Sequence, residues 1–206
     1  SAIADQVINE DFSTGALAFT ISDPETAAGS LILSAISSNT SLVPNLNVSF
    51  GGSGSSRTVT VTPVLNQSGA TTITISVSDG VNVVPEEFLV TVNPVNDAPT
   101  VTPIANQTIN EDSQTGDLVF TVGDAETPAA SLIISASSSN TTLVPNANVT
   151  LGGSGPSRTV NVVPVTNSSG VTTITINVSD GSIVTPITFQ VTVNAVDDPP
   201  TITAIT

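Results

Sequence analysis

The sequence contains no cysteine, histidine, lysine, methionine, tryptophan or tyrosine, and only two of its 206 residues are basic. Without cysteine it can form neither a disulfide bond nor a thiolate metal site. Without lysine it cannot form an intramolecular Lys–Asn isopeptide bond. We therefore expect the fold to be stabilised by its core, by backbone hydrogen bonds and, where present, by bound ions.

The same absences remove most catalytic groups. General acid–base catalysis relies mainly on histidine, with carboxylates, lysine, tyrosine or cysteine as alternatives, and only carboxylates are present here. Serine and threonine hydroxyls have no histidine or lysine to activate them. We therefore expect that the chain is not an enzyme. A pair of carboxylates, as in an aspartic dyad or a glycosidase, is the catalytic arrangement that the composition leaves open.

The charge is strongly one-sided, with 17 acidic residues and a formal net charge of −15. Nucleic acid is a poor partner for such a chain, because phosphate binding needs a lysine- and arginine-rich surface. No stretch approaches the ~20 apolar residues of a membrane span, so we expect no membrane insertion. The acidity is typical of a protein that binds cations or that stays soluble in a salty medium.

An internal repeat organises the sequence. Residues 3–16 read IADQVINEDFSTGA and residues 104–117 read IANQTINEDSQTGD, while Arg57 and Arg158 follow GGSGSS and GGSGPS. A period near 100 residues indicates whole domains. We predict one repeat at 1–97 and a second at 98–198. Because PPTITAIT at the end matches APTVTPIA at 98–105, we interpret 199–206 as the start of a third repeat in a longer array.

Each repeat alternates apolar and polar residues in short runs separated by glycine, proline, asparagine and aspartate, which is typical of β-strands and turns. About seven strands per repeat predict an all-β fold of two tandem seven-stranded Greek-key β-sandwich domains, immunoglobulin-like in outline. The core would be aliphatic with a few phenylalanines, namely Phe19, Phe88, Phe120 and Phe189. In the first repeat the predicted strands lie near 7–8 and at 17–21, 31–35, 48–50, 58–64, 71–79 and 88–92.

Acidic motifs recur in both repeats. An INED motif precedes the second strand, a D-x-E motif follows the second strand, and a VSDG motif ends the sixth strand. The linkers add further Asn and Asp residues. The positions are Glu10–Asp11 and Glu111–Asp112, Asp23–Glu25 and Asp124–Glu126, Asp79 and Asp180, and Asn96–Asp97 and Asp197–Asp198.

In a Greek-key sandwich the loops after the second and sixth strands share one end of the domain. Asp124, Glu126 and Asp180 should therefore gather at the end of the second repeat that the linker residues Asn96 and Asp97 also reach. Several carboxylates at one place repel each other unless a cation neutralises them. Carboxylate, amide and backbone oxygens suit Ca²⁺, which accepts six to eight such ligands. The alternative is a purely structural role, in which these residues only form turns, where Asp and Asn are favoured.

In their order and spacing these motifs resemble those of cadherin-type repeats, in particular the bacterial cadherin-like repeats of large calcium-dependent surface adhesins. VSDG, an apolar strand and VNDAP are similar to the family's A-x-D-x-G and D-x-N-D-N-x-P motifs. INED resembles the glutamate motif near the first strand, and D-x-E resembles D-x-D. The resemblance covers both repeats from end to end.

The resemblance implies an interdomain calcium cluster. Its site nearest the second repeat would use Asn96, Asp97, Asp124, Glu126 and Asp180, and Glu10 with Asp97 would serve a site nearer the first. Weaker sites would lie towards neighbouring repeats, with Asp23, Glu25 and Asp79 at one end and Glu111, Asp197 and Asp198 at the other.

The chain also departs from the family pattern. The family's D-R-E motif falls where residues 66–69 read NQSG and 167–170 read NSSG, so those carboxylates are missing. The linker has Pro94 in place of the leading aspartate. We therefore expect one or two ions at a junction instead of three.

The resulting hypothesis is a calcium-binding structural extender of a bacterial adhesin, outside the cell or on its surface, in which Ca²⁺ stiffens the junction with neighbouring repeats. The alternative is a module that itself binds polysaccharide or mediates homophilic adhesion. The absence of Trp and Tyr platforms weighs against sugar binding. For Arg57 and Arg158 we expect a structural ion pair with a nearby acid.

Overall fold

A computed structural model describes residues 2–200 and 202. The chain divides into two compact units between Val95 and Asn96. This division lies slightly before the boundary that the repeat predicts, and it assigns Asn96 and Asp97 to the second unit. In the described residues, no helix is long and apolar enough to cross a membrane.

The described residues of the first unit form seven strands in two sheets. One sheet has the order β1-β7-β6-β3 and the other the order β2-β5-β4. Strand β1 runs parallel to β7, whereas the other pairs are antiparallel. The strands are β1 (Gln6–Asn9), β2 (Leu17–Thr20), β3 (Ile32–Ser37), β4 (Val48–Ser53), β5 (Ser56–Val61), β6 (Gly69–Ser78) and β7 (Val83–Asn93), with a 3-10 turn at Asn45–Asn47 before β4.

The second unit repeats this arrangement and adds one short strand at its start. Its sheets have the orders β9-β15-β14-β11 and β8-β10-β13-β12. The strands are β8 (Thr100–Val101), β9 (Gln107–Asn110), β10 (Leu118–Gly123), β11 (Ile133–Ser138), β12 (Val149–Ser154), β13 (Ser157–Val162), β14 (Gly170–Ser179) and β15 (Val184–Asn194), with a 3-10 turn at Asn146–Asn148.

These strand orders are those of an immunoglobulin-like sandwich. In the second unit one sheet contains β8, β10, β13 and β12. The other sheet contains β11, β14 and β15, with β9 at its edge. This is the division of strands between two sheets that defines the immunoglobulin fold. The predicted all-β fold of tandem sandwich domains is therefore confirmed.

A separate apolar core fills each sandwich. Because successive side chains on a strand point to opposite faces, the alternating pattern buries every second residue. In β14, for example, Ile174, Ile176 and Val178 are fully buried, and the residues between them are partly exposed. All four predicted core phenylalanines are buried (Phe19, Phe88, Phe120 and Phe189).

The glycine-rich segment before each arginine is mostly strand. Strand β4 continues through Gly51 and Gly52 to Ser53, which pairs with Ser56 across a tight turn. Gly52 has a φ of 79°, and a Cβ there would collide with the carbonyl oxygen of Ser56. Glycine is needed at this position because both the backbone angle and the close approach of β5 exclude a side chain.

Candidate metal centre

The loop after β10 presents Asp124 and Glu126 at one end of the second unit. The Oδ1 atom of Asp124 accepts hydrogen bonds from the backbone N–H groups of Glu126 (3.0 Å) and Thr127 (2.7 Å). This is the local turn chemistry for which aspartate is favoured. It fixes the carboxylate and leaves Oδ2 to other partners. Oδ2 is buried, and within the described residues it accepts no hydrogen bond.

The loop after β14 holds Asp180 in a similar turn. Its Oδ1 accepts the N–H groups of Ser182 (2.6 Å) and Ile183 (2.7 Å). Its Oδ2 accepts the side-chain amide of Asn96 at 2.7 Å. The hydrogen bonds from Ile183, Asn96 and Ser182 lower the pKa of Asp180 below its ordinary value, because they stabilise the charged form. Asp180 is therefore a carboxylate at neutral pH.

The linker residues Asn96 and Asp97 connect these two loops. The amide nitrogen of Asn96 donates both to Asp180 Oδ2 and to the carbonyl oxygen of Asp97 (3.0 Å). The backbone N–H of Asp97 donates to Glu126 Oε2 at 3.0 Å. The five residues predicted to gather at this end, Asn96, Asp97, Asp124, Glu126 and Asp180, thus form one hydrogen-bonded network.

The oxygen atoms of this network are ligands that suit a hard cation. It offers carboxylate, amide and main-chain oxygens, which are the ligands that Ca²⁺ takes. The buried Oδ2 of Asp124 accepts no hydrogen bond from the described residues, so it can take a hydrogen-bond donor or a cation as its partner. In the described part of the chain, however, no three acidic side chains converge closely enough to hold a metal ion by themselves. A cation here would depend on the oxygens of residues 96–97 and on water as well.

The equivalent loops of the first unit have the same turns. Asp23 Oδ1 accepts the N–H groups of Glu25 and Thr26, and Asp79 Oδ1 accepts those of Val81 and Asn82. The hydrogen bonds from Asn82 and Val81 lower the pKa of Asp79. Here the side-chain amide of Asn82, from the same loop, donates to Asp79 Oδ2 at 3.2 Å. In the second unit the corresponding hydrogen bond, to Asp180 Oδ2, comes from the linker residue Asn96.

Glu10 and Glu111 lie near the opposite end of each unit. Glu10 is buried, with 3% of its surface exposed. Its Oε1 accepts the backbone N–H of Val95 at 2.6 Å, and Glu111 Oε1 accepts that of Val196 at the same distance. Each glutamate therefore fastens the chain segment that follows the last strand of its own unit.

Asp11 and Asp112 occupy tight turns and hold the loops at residues 66–69 and 167–170. Both have a positive φ, of 65° and 62°. Their Oδ1 atoms accept the N–H groups of Asn66 and Asn167 at 2.9 Å. With the Asn167 amide nitrogen facing the acids, it donates to Oδ2 of Asp112 (3.1 Å) and of Asp198 (3.0 Å). Sequence reasoning gave these asparagines no role, although NQSG and NSSG recur at one spacing.

The expected ion pairs of the two arginines are not formed among the described residues. Arg57 donates to the carbonyl oxygens of Gly54 (2.9 Å) and Ala28 (3.2 Å). Arg158 donates to those of Ala129 (2.9 Å) and Gly153 (3.4 Å). A guanidinium has five N–H donors, so it can satisfy several loop carbonyls at once. Arg158, the only basic residue in the sequence of the second unit, donates to these carbonyls through its terminal nitrogens, and its buried Nε has no hydrogen-bond partner among the described residues.

No family model matches the chain, and no curated protein matches it in sequence. Solved structures do resemble it. Titin domains z1z2, in complex with telethonin, are 15% identical, with 96% of this chain and 95% of that chain covered and a TM-score of 0.41. Domains 1–6 of the surface layer protein SbsC are 20% identical, with 85% and 21% covered and a TM-score of 0.40.

An endo-fucoidan hydrolase of glycoside hydrolase family 107, MfFcnA4, is 19% identical, with 95% of this chain covered and a TM-score of 0.37. This chain spans only 28% of the hydrolase's length. At such identities and scores the likenesses carry no argument about function. The strand order and register described above therefore carry the conclusion that the chain is a tandem of immunoglobulin-like β-sandwich domains.

Proposed function

We propose that the chain is a pair of extracellular extender repeats that bind Ca²⁺ where the linker enters the second unit. The observation that carries this proposal is the buried Oδ2 of Asp124, which has no hydrogen-bond donor among the described residues. A carboxylate oxygen removed from water is costly unless a charge or donor compensates it. The terminal nitrogens of Arg158 donate to loop carbonyls, and the partner we propose for this oxygen is a bound cation.

In this proposal Asp124 Oδ2 is the first ligand, and the others come from oxygens of Asn96, Asp97, Glu126 and Asp180 and from water, with movement of the acidic side chains towards the ion, since among the described residues no three of them converge. The bound ion supplies positive charge and no redox chemistry. Calcium is preferred to magnesium because it tolerates irregular arrangements of mixed oxygen ligands, whereas magnesium demands a near-ideal octahedron. Asp180 Oδ2 and the Asp97 carbonyl both accept a hydrogen bond from Asn96 Nδ2, so these two oxygens face the same amide group.

The mechanical role of the proposed ion depends on how residues 95–97 of the linker are held. Val95 is fastened to the first unit by Glu10, and the next two residues are fastened to the acidic loops of the second unit. An ion that tightens residues 96–97 onto their loops removes rotational freedom from the linker. In this proposal the repeats are non-catalytic spacers of a bacterial cell-surface adhesin of the cadherin-like type.

The test is calorimetric unfolding of the 206-residue chain with about 10 mM CaCl₂ and with a chelator. Extracellular calcium modules bind at about 10⁻⁴–10⁻³ M, so this concentration is at least about tenfold above the dissociation constant. Binding should stabilise the second unit by about 1.4 kcal/mol or more. That corresponds to a rise in Tm of roughly 5–10 °C for a domain of this size.

The two units provide a matched control. Asp124→Asn should abolish most of the calcium-induced rise in Tm. Asp23→Asn changes the same loop of the first unit, where Asn82 of the neighbouring loop and not a linker residue donates to Asp79 Oδ2, and should leave that rise intact. Small-angle scattering in calcium and in chelator then tests the stiffening. If neither Tm nor scattering responds to calcium in the unmodified chain, the proposal is wrong.

A further inference from the structure

Strand β3 forms an open edge of the first unit. It pairs with β6 on one side, and among the described residues no strand pairs with its other side. The strand lies in the middle of its repeat, with strands of the same unit before and after it in the sequence. An exposed strand edge presents unpaired N–H and C=O groups, to which another chain can bind.

The register of β3 shows which of its backbone groups face outward. The N–H of Ser38 donates to the carbonyl oxygen of Thr72 at 3.0 Å, which places the two residues in a hydrogen-bonded pair. Since hydrogen-bonded and non-hydrogen-bonded pairs alternate along antiparallel strands, the even-numbered residues of β3 bond to β6. The N–H and C=O groups of Leu33, Ala35 and Ser37 therefore point away from β6.

The outward groups differ in their partners. The N–H of Ser37 donates to the side-chain oxygen of Asn45 at 2.8 Å, so the edge is closed at that end. Among the described residues, the N–H groups of Leu33 and Ala35 have no acceptor, because neither β6 nor a second strand pairs with them. Residues 32–36 are thus the part of the edge that is open to another strand.

The side chains of this segment are apolar where they face solvent. Because side chains alternate between the two faces of a strand, Ile32, Ser34 and Ile36 share the outer face. Ile32 is 62% exposed and Ile36 is 59% exposed. Leu33 and Ala35 pack against the core of their own unit. The two exposed isoleucines are therefore placed symmetrically about Ser34.

The surroundings of this edge are uncharged, although the chain has a net charge of −15. Residues 26–56 contain no aspartate, glutamate, lysine or arginine. Natural proteins commonly protect an edge strand with a charged residue or a proline, and β3 has neither. A strand that carries charge would lose hydration on binding here. A second copy of β3 presents an equally neutral edge, so we take it as the occupant.

We propose that the β3 edges of two copies of this chain pair antiparallel about a two-fold axis at Ser34. Leu33 of one copy then lies opposite Ala35 of the other, and their N–H and C=O groups bond in both directions. Ile32 lies opposite Ile36 of the other copy, in the non-hydrogen-bonded type of pair, whose side chains are closer. Such an interface is self-complementary, so association stops at a dimer in which two sheets join into one.

The equivalent edge of the second unit is less suited to self-pairing. Strand β11 has Ile133 and Ser137 where β3 has Ile32 and Ile36. Pairing of two β11 edges would set each isoleucine opposite a serine, without the apolar cross-strand contact. The second unit therefore provides a matched control strand within the same chain.

The contact is small, and the net charge of each copy opposes it. Edge-to-edge pairing through residues 32–36 buries less than the roughly 1,200 Å² of a standard interface, so we expect a dissociation constant of about 0.1–1 mM. Salt screens repulsion between exposed charges, so the dimer should be more populated at about 0.5 M NaCl than at low salt. Calcium takes no part in this contact. Measurement in chelator therefore separates it from the proposed calcium site.

The test is sedimentation velocity of the 206-residue chain in chelator and about 0.5 M NaCl, at concentrations up to about 1 mM. The weight-average sedimentation coefficient should rise towards that of a dimer and no further. Ala35→Pro removes an N–H that β6 does not use, so it should keep the fold and abolish association. Ala136→Pro makes the same change in β11 and should leave association intact. If the unmodified chain stays monomeric, or if Ala35→Pro dimerises normally, the proposal is wrong.

A milder variant and a local readout test the register. Ile36→Ser gives β3 the residue of β11 and should weaken the dimer about two- to thirtyfold, because both cross-strand isoleucine pairs are lost. Amide hydrogen exchange of the unmodified chain should slow at Leu33 and Ala35 as the concentration rises, and should stay unchanged at Ile134 and Ala136. A dimer that protects the β11 amides instead, or that Ile36→Ser does not weaken, would contradict the proposed pairing.

Discussion

The buried carboxylate of Glu10 accepts the backbone N–H of Val95 at 2.6 Å, although the two residues are 85 positions apart in the sequence. Glu111 and Val196 repeat the contact in the second unit. A hydrogen bond to a charged group contributes about 1.5–3 kcal/mol, and loss of one partner leaves the other unsatisfied. In each repeat this glutamate fixes the point at which the chain leaves the sandwich.

Replacement of Glu10 by alanine should destabilise the first unit by about 2 kcal/mol, because the Val95 N–H loses its acceptor and a buried side chain is removed. The free energy of unfolding from urea denaturation measures this change. Glu87→Ala removes an exposed glutamate of the same unit and should cost less than about 0.5 kcal/mol. Equal effects of the two substitutions would contradict the structural role of Glu10.

Stability should fall in acid because of Asp79 and Asp180. Hydrogen bonds lower the pKa of both carboxyls in the folded state relative to the ordinary value of 3.8. A lowered folded pKa contributes stability that is present above the unfolded pKa and is lost as the pH falls through the folded pKa. The Tm should therefore be level above about pH 5 and decline below pH 3.8. Scanning calorimetry from pH 7 to pH 2 follows this decline, and Asp79→Asn with Asp180→Asn should make it shallower. If Tm falls as steeply in the double variant as in the unmodified chain, other carboxyl groups cause the loss of stability in acid.

Two glycines of one turn should respond differently to alanine. Gly153 has a φ of 83°, and a Cβ there would collide with the carbonyl oxygen of Ser157. Gly155 has a φ of 57° with open space around it. Gly155→Ala should cost about 1–2 kcal/mol, the ordinary penalty of a left-handed conformation. Gly153→Ala should cost more, because β12 and β13 must also move apart. Chemical denaturation of both variants measures the order, and a reversed order would refute the assigned contact.

A buried hydroxyl should contribute to the stability of the second unit. Thr172 is 1% exposed; its Oγ1 lies 2.8 Å from Ser138 Oγ and accepts the N–H of Asn140 at 3.2 Å. Thr172→Val keeps the shape but loses these bonds, at a cost of about 1–3 kcal/mol. Thr175→Val, on the same strand but partly exposed, is the isosteric control and should change stability little. Comparable urea midpoints for the two variants would show that this hydroxyl is unimportant.

Much of the fold could be predicted from local sequence patterns. The repeat of 101 residues, the alternation in residues 71–79 and the four core phenylalanines predicted tandem sandwiches, and β6 and the buried phenylalanines agree with this. Local alternation is sufficient because one face of a strand must be buried. The glycine-rich run was predicted incorrectly, because the strand expected at 48–50 continues as β4 through Gly51 and Gly52. Pairing with a neighbouring strand, and not local propensity, determines where this strand ends.

The sequence by itself determined the repeat, the strands and the kinds of side chain at each loop. It also indicated that the loops after the second and sixth strands share one end, because Greek-key connectivity requires it. Only the tertiary structure decided which atoms meet. Asn96 reaches Asp180 across 84 positions, Glu10 reaches Val95, and both arginines bind carbonyl oxygens instead of acids. These contacts depend on strand register and turn geometry, which bring distant positions together to within a hydrogen bond and which no local pattern encodes.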